Sequence, residues 1–148
     1  MRCVVQRVSS ASVVSEGREV ARIGLGLAVL AGIVRGDGPD DIRWMARKIA
    51  NLRIFGDDEG KLNRSVLEVG GQVLLVSNFT VCGDASKGRR PDFTDAAPFD
   101  RGERLFAMFA DALREEGATV QTGVFGAMMS VNLVNEGPVT IVVESPVK

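Results

Sequence analysis

Gly70-Gly71-Gln72-Val73-Leu74-Leu75-Val76-Ser77-Asn78-Phe79-Thr80-Val81-Cys82-Gly83 is the stretch on which the reading of this chain turns. Val73 to Val76 is a short, unbroken apolar run behind a Gly-Gly turn, a pattern that predicts a strand buried on both faces. The chain then becomes polar for two residues, Ser77 and Asn78, before Phe79, Thr80, Val81 and Cys82 restore an apolar character that ends at Gly83. Small polar residues at the end of a buried strand cost free energy unless their hydrogen bonds are met. Such an end is also a rigid mount for catalytic groups. Two readings of Ser77 and Thr80 therefore stand side by side: they bond neighbouring backbone, or they belong to a site.

Outward from this strand the chain reads as short strands and two helices. Arg2 to Val14 alternates like a strand, Glu16-Gly17-Arg18-Glu19 makes a tight turn, and Val20 to Ile23 and Leu25 to Ile33 are further strands. Strands joined by turns of a few residues favour antiparallel pairing. Gly24-Leu25-Gly26 lacks the spacing of a phosphate loop and reads as a bend or bulge. Gly36-Asp37-Gly38-Pro39-Asp40-Asp41 opens a helix whose apolar stripe is Ile42, Met45, Ala46, Ile49 and Leu52. Arg53 to Leu62 reads as a hairpin around an acidic loop too short for an EF-hand. A second helix is expected from about Pro98 to Glu116, with Phe99, Leu105, Phe106, Phe109, Ala112 and Leu113 as its buried face. Thr119–Val124, Ser130–Val134 and Val139–Glu144 complete the strands. Between them these elements predict one α+β domain over residues 1–148: a curved, mostly antiparallel sheet, barrel-like, with two packed helices.

Composition excludes several chemistries. The chain has 148 residues, 45% hydrophobic and 25% charged, with no histidine and two cysteines. Without an imidazole, Ser-His-Asp and Cys-His hydrolases are ruled out, and a zinc site is improbable. No apolar stretch is long enough to span a membrane, and the opening residues alternate like a strand where a signal peptide would be apolar. Two distant cysteines with no export signal lead us to expect reduced thiols in the cytoplasm. A net charge of −1 provides no general field for nucleic acid. Contact with nucleic acid would have to be local. One candidate is the loop Asp84 to Phe93, where Lys87, Arg89 and Arg90 place three positive charges within four residues. It reads either as a solvent loop or as a phosphate contact.

Asn135-Glu136-Gly137-Pro138-Val139-Thr140, beside Ser77-Asn78-Phe79-Thr80-Val81, makes the sequence resemble the D-aminoacyl-tRNA deacylase family. The resemblance runs the length of the chain and includes Gln6-Arg7-Val8, Ala11-Ser12-Val13, Arg53-Ile54-Phe55, Gly60-Lys61, the Gly88 to Pro91 loop and Gln121-Thr122-Gly123. Of the family's two signatures, Asn-x-Gly-Pro-x-Thr matches completely. Ser-Gln-Phe-Thr departs at Asn78, one methylene shorter than the usual glutamine.

The resemblance implies a homodimer that hydrolyses the ester between tRNA and a D-amino acid or glycine. It implies a cis Gly137-Pro138 peptide that enters the partner subunit's pocket and admits one handedness by exclusion. With histidine absent, backbone N–H groups around Phe79 and Thr80 are expected to bind the ester carbonyl, and a ribose hydroxyl of the substrate to assist water. Thr80 as nucleophile ranks second, because no adjacent base takes its proton. Ser77 and Asn78 join the substrate site. Arg7 is either an outer partner of the Gly-Pro segment or an ordinary strand arginine, and Phe125 and Met129 either line a terminal-adenosine pocket or belong to the core. No cofactor, metal or membrane is expected. The rival readings are a deacylase of relaxed chirality acting on L-Ala-tRNA, and a tRNA-binding module without chemistry.

Overall fold

The structure, a computed structural model, describes residues 1–146, so the last two positions of the expected 1–148 domain lie outside it. It contains eight strands and two α-helices: β1 Arg2–Ser15, β2 Arg18–Ile23, β3 Gly26–Gly32, α1 Pro39–Ala50, β4 Phe55–Gly56, β5 Leu62–Arg64, β6 Gln72–Ser77, α2 Phe99–Glu115, β7 Thr119–Thr122 and β8 Ser130–Glu144.

The main sheet runs β2-β1-β3-β6-β7, with β8 laid along β1. The long β1 pairs antiparallel with β2, β3 and β8. The two pairings at β6 are parallel, to β3 and to β7. The helices explain this difference from the simple antiparallel expectation. Chain leaving β3 returns through α1, and chain leaving β6 returns through α2, and such crossovers are what parallel neighbours require. The sheet curls until β2 and β7 nearly meet. There the Gln121 side-chain oxygen accepts the Arg22 backbone N–H at 2.9 Å, and Gln72 does the same for Gly24 at 3.4 Å.

The two cores account for the apolar run that opened the sequence. Val73 and Leu75 belong to a cluster with Ile42, Met45, Ile49, Phe106, Phe109 and Leu113, between sheet and helices. Leu74 joins Val8, Val13, Ile23 and Val76 in a second cluster inside the curl. Alternate residues of one strand thus fill opposite cores, as a run without polar alternation demands. The register is tight where β6 begins: a Cβ on Gly26 would lie 1.8 Å from the Gln72 carbonyl oxygen, so only glycine fits.

Each helix follows its stripe. In α1, Asp41 accepts the Gly38 N–H at 2.8 Å, the acids lie in the first turn and Arg47 and Lys48 in the last, matching the helix dipole. In α2 the buried face is Leu105, Phe106, Phe109, Ala112 and Leu113. Phe99 differs from expectation. It sits in the first turn of α2 and is 58% exposed. The two strands expected at 130–134 and 139–144 are one element, β8, whose pairing with β1 becomes irregular opposite Gln6 to Ser10.

Candidate functional site

At the end of β6 the backbone keeps one more ladder bond, Asn78 N–H to Ala31 O at 2.9 Å, and then leaves the sheet. Phe79–Cys82 coil into a single 3₁₀ turn, closed by Val81 N–H to Asn78 O at 3.2 Å and Gly83 N–H to Thr80 O at 3.0 Å. Arg2 ties this turn to β1 by donating to the Val81 carbonyl at 3.2 Å. The bonding leaves two donors over: among the described residues, the N–H groups of Phe79 and Thr80 have no protein acceptor. Asn78 does not cap the turn with its side chain. Its Oδ1 instead accepts the Thr80 hydroxyl at 2.5 Å.

Beside this turn lies a cavity of about 490 Å³, within the range of small-ligand sites. Leu30, Ala31, Val76 and Ser77 of the sheet form its floor, Asn78 and Phe79 one wall, and Ala97, Phe99 and Gly102 at the start of α2 another. Phe125 to Met129 form the remaining side. Phe125 stands edge-on to Phe99 at 5.2 Å and tilted against Phe106 at 5.6 Å, so it belongs to core and cavity together. Met129 likewise lines the cavity while packing on the inner cluster. Ser15 holds this segment by donating to the Met128 carbonyl at 3.0 Å. The mouth is apolar and open: Phe79 is 60% and Met128 90% exposed.

No lining residue is titratable. Nor do three or more His, Cys, Asp or Glu gather as a metal set anywhere among the described residues. The nearby Cys82 thiol is pushed up by burial, which keeps it neutral. What the lining residues offer a reacting group is therefore the Phe79 backbone N–H, the Asn78 amide and the Ser77 hydroxyl.

The Gly137-Pro138 peptide is cis, and Gly137 has φ +137°. It lies mid-β8, exposed, and does not line the cavity of its own chain. The motif around it is a brace. Asn135 Oδ1 accepts the Val139 N–H at 2.9 Å, and Asn135 Nδ2 donates to Thr140 Oγ1 at 2.8 Å. Arg7 donates from Nε to the Glu136 carbonyl at 3.0 Å and from Nη1 to the Ile54 carbonyl at 2.9 Å, fixing the segment from below.

Lys87, Arg89 and Arg90 also stand outside the cavity, on an exposed loop pinched at its base by paired backbone bonds between Asp84 and Asp92, both 2.8 Å. Bonds from the Ser86 and Thr94 backbone N–H groups lower the pKa of Asp84 and Asp92 respectively. Phe93, next to the loop, meets Phe79 edge-to-face at 5.3 Å and 71°. Of the residues singled out in the sequence, Ser77, Asn78, Phe79, Phe125 and Met129 line one cavity, whereas Thr80, in the adjoining turn, Gly137, Pro138, Arg7 and the basic loop do not. Sequence reasoning missed Phe99, read as core, and Phe93. An aromatic in a helix's first turn and another beside a charged loop were the only signals available for them.

Comparison with known proteins agrees with this architecture. The pattern of the family described as D-Tyr-tRNA(Tyr) deacylase matches residues 4–144. A protein of Chlorobaculum parvum described as D-aminoacyl-tRNA deacylase is 57% identical, covering 100% of both chains. One of Bacillus cereus with the same description is 54% identical, covering 98% of this chain and 99% of its own. Among solved structures, one described as a c-Myc DNA unwinding element binding protein superposes with a TM-score of 0.94 at 41% identity, over 99% of this chain and 100% of its own. A probable eukaryotic D-amino acid tRNA deacylase, 19% identical over 96% of this chain and 97% of its own, shares the fold with a TM-score of 0.82. On a match across nearly its whole length, the chain belongs to the D-Tyr-tRNA(Tyr) deacylase family.

Proposed function

We propose that this chain hydrolyses D-aminoacyl-tRNA, taking the aminoacylated 3′ end in the cavity beside Phe79 and releasing the free D-amino acid and tRNA. The observation that carries the reading is the pair of unengaged N–H groups, Phe79 and Thr80, in the turn whose first residue, Phe79, lines a cavity without an ionisable side chain. They suit an ester carbonyl whose oxygen becomes negative as water adds to its carbon. Each such donor is typically worth about 10² to 10³ in rate. The ester C–O bond then breaks and the ribose oxygen takes a proton. No protein base lines the site, so water is positioned by the neighbouring ribose hydroxyl, whose proximity supplies the advantage. Thr80 is not the nucleophile, because its proton is directed at a neutral amide oxygen, which is no base.

Phe125 and Met129 are suited to hold the terminal adenosine, and Ser77 and Asn78 border the acyl group. Lys87, Arg89 and Arg90 contact tRNA phosphates. The working unit is a homodimer. Two observations support it: no residue of β8 is fully buried, and Val134 and Val142 stand 56% and 60% exposed on that edge strand. Across the dimer, Gly137 and Pro138 of one subunit close the cavity of the other and exclude an L side chain, while D-residues and glycine fit. Arg7 holds that segment in place. The two free thiols fit a reducing cytoplasm.

Hydrolysis of D-Tyr-tRNA, Gly-tRNA and L-Ala-tRNA, measured side by side, tests the reading. D-Tyr and Gly release with L-Ala intact is expected. Rapid L-Ala release would establish relaxed chirality, and binding without turnover would leave only a tRNA-binding module.

A further inference from the structure

Resting on the deacylase reading, we propose that a second, smaller pocket beside the first holds the cytidine that precedes the terminal adenosine of tRNA, with Glu16 reading its amino group. This pocket has a volume of about 290 Å³. It is lined by the turn from β1 to β2, including Glu16 and Arg18, and by Val20, Val124 and Ala127 as an apolar wall. The two pockets are neighbours: Ala127 lines both. Ser15, which lines the second, donates at 3.0 Å to the carbonyl of Met128, which lines the first. Phe79, whose turn carries the unengaged N–H groups, lines only the first. A strand whose adenosine rests against Phe125 and Met129 therefore crosses Ala127 to set its next base in the second pocket.

The charged groups of this pocket are uncommitted where it matters. Glu19 spends both carboxylate oxygens on Arg22, at 2.9 and 2.7 Å. Among the described residues, neither the Glu16 carboxylate nor the Arg18 guanidinium has a protein partner. Glu16 also has φ +53°, the one positive value at a non-glycine among the described residues. A two-residue hairpin turn favours asparagine, aspartate or glycine at such a position, and backbone strain of this kind clusters at functional sites. A carboxylate near a guanidinium complements a base edge that offers an amino group beside acceptors. Cytosine has that edge: its exocyclic amino group donates to a carboxylate, and its ring nitrogen and carbonyl oxygen accept from an arginine. Uracil carries an oxygen where cytosine carries the amino group, and a carboxylate repels it. Val20 and Val124, both exposed, give the base an apolar surface to pack on.

Short substrates isolate the second pocket. Hydrolysis of the D-tyrosyl esters of cytidylyl-adenosine and uridylyl-adenosine would be measured for wild type, Glu16→Gly and Arg18→Gln, with thermal melting to verify the fold. Wild type is expected to favour the cytidylyl ester about 5- to 150-fold in kcat/KM, the usual discrimination of a well-matched base contact, and to do so through KM, since the base lies away from the reacting bond. Glu16→Gly suits the left-handed turn, so it keeps the fold, and it is expected to bring the ratio of the two esters to about one. Arg18→Gln is expected to raise KM for both esters with the ratio preserved, because both bases carry the carbonyl oxygen that arginine binds. Equal hydrolysis of the two esters by wild type, or an undiminished cytidine preference in Glu16→Gly, would overturn the inference while leaving the deacylase reading intact. A wild-type protein inert on both esters and on D-Tyr-tRNA would take both down.

Discussion

Replacing Gly137 by alanine is the sharpest test of how the cavity is completed. Gly137 has φ +137°, a conformation that L-residues rarely adopt. A Cβ there would lie 2.8 Å from Val139 Cγ2, 2.9 Å from the Val139 nitrogen and 3.1 Å from Arg7 Nη2. One of those neighbours is backbone, and another is the arginine that grips the Glu136 carbonyl, so the segment cannot stay where it is. Holding a non-glycine residue in such a region costs about 1–3 kcal/mol. At 1.36 kcal/mol per tenfold change, the braced conformation becomes about 5- to 150-fold less populated. The core has no stake in residues 136–138, which are exposed, so a relaxed segment leaves the sheet intact. Single-turnover hydrolysis of D-Tyr-tRNA and L-Tyr-tRNA by Gly137→Ala should therefore show a D-over-L preference reduced by that same factor, with circular dichroism unchanged. An undiminished preference in a correctly folded variant would refute the idea that this segment meets the substrate.

Three further outcomes follow from other contacts. Phe93→Ala removes an edge-to-face pair worth about 0.5–1.5 kcal/mol and should lower kcat on D-Tyr-tRNA about 2- to 13-fold by freeing Phe79; an unchanged kcat would mean the 3₁₀ turn holds Phe79 unaided. Changing Lys87, Arg89 and Arg90 together to alanine should flatten the salt dependence of tRNA binding, reducing the log–log slope by about 2 to 3 if all three meet phosphates, with little effect on hydrolysis of a short aminoacylated 3′-end fragment. Cys82 is buried and its thiol pKa raised, with Cys3 shifted further in the same direction. Neither should react with a thiolate-selective reagent at neutral pH until the protein is unfolded, and fast native labelling of Cys82 would show that the turn opens.

How far the sequence reached is clearest at particular residues. Val73 to Val76 announced a twice-buried strand because each side chain fills one of two cores, and burial leaves a direct trace in residue type. Strand direction left no such trace. β6 is parallel because α1 and α2 carry the chain across, and nothing in the strand itself encodes that. Asn135 and Thr140 were recognised as a motif, yet their work as braces for Gly137 is a matter of three side chains meeting, which spacing alone does not state. Phe99 was misread because its spacing from Phe106 matches a buried face, while the helix's first turn overhangs a cavity. The bond between Asn78 and Thr80 was likewise invisible, since it depends on the 3₁₀ turn that replaces an extended chain after Ser77.

The barrenness of the cavity and the need for a chiral filter are one problem. A site whose chemistry rests on N–H donors, water and the substrate's own hydroxyl treats any ester carbonyl alike, since none of those groups senses the α-carbon. L-esters, far more abundant substrates in a translating cell, would be cleaved as readily as D-esters if they reached the donors. Selection by a charged partner for the side chain would restrict the enzyme to a few amino acids, and no charged group lines the cavity to act as one. What remains is exclusion at the α-carbon by atoms that do not yield. On the reading proposed above those atoms belong to the exposed segment at Gly137, which is held by Asn135, Thr140 and Arg7 through bonds of 2.8 to 3.0 Å. A generic catalyst made safe by a rigid barrier should therefore lose selectivity before it loses rate whenever that bracing is weakened, with Arg7→Ala raising L-Tyr-tRNA hydrolysis more than it lowers that of D-Tyr-tRNA.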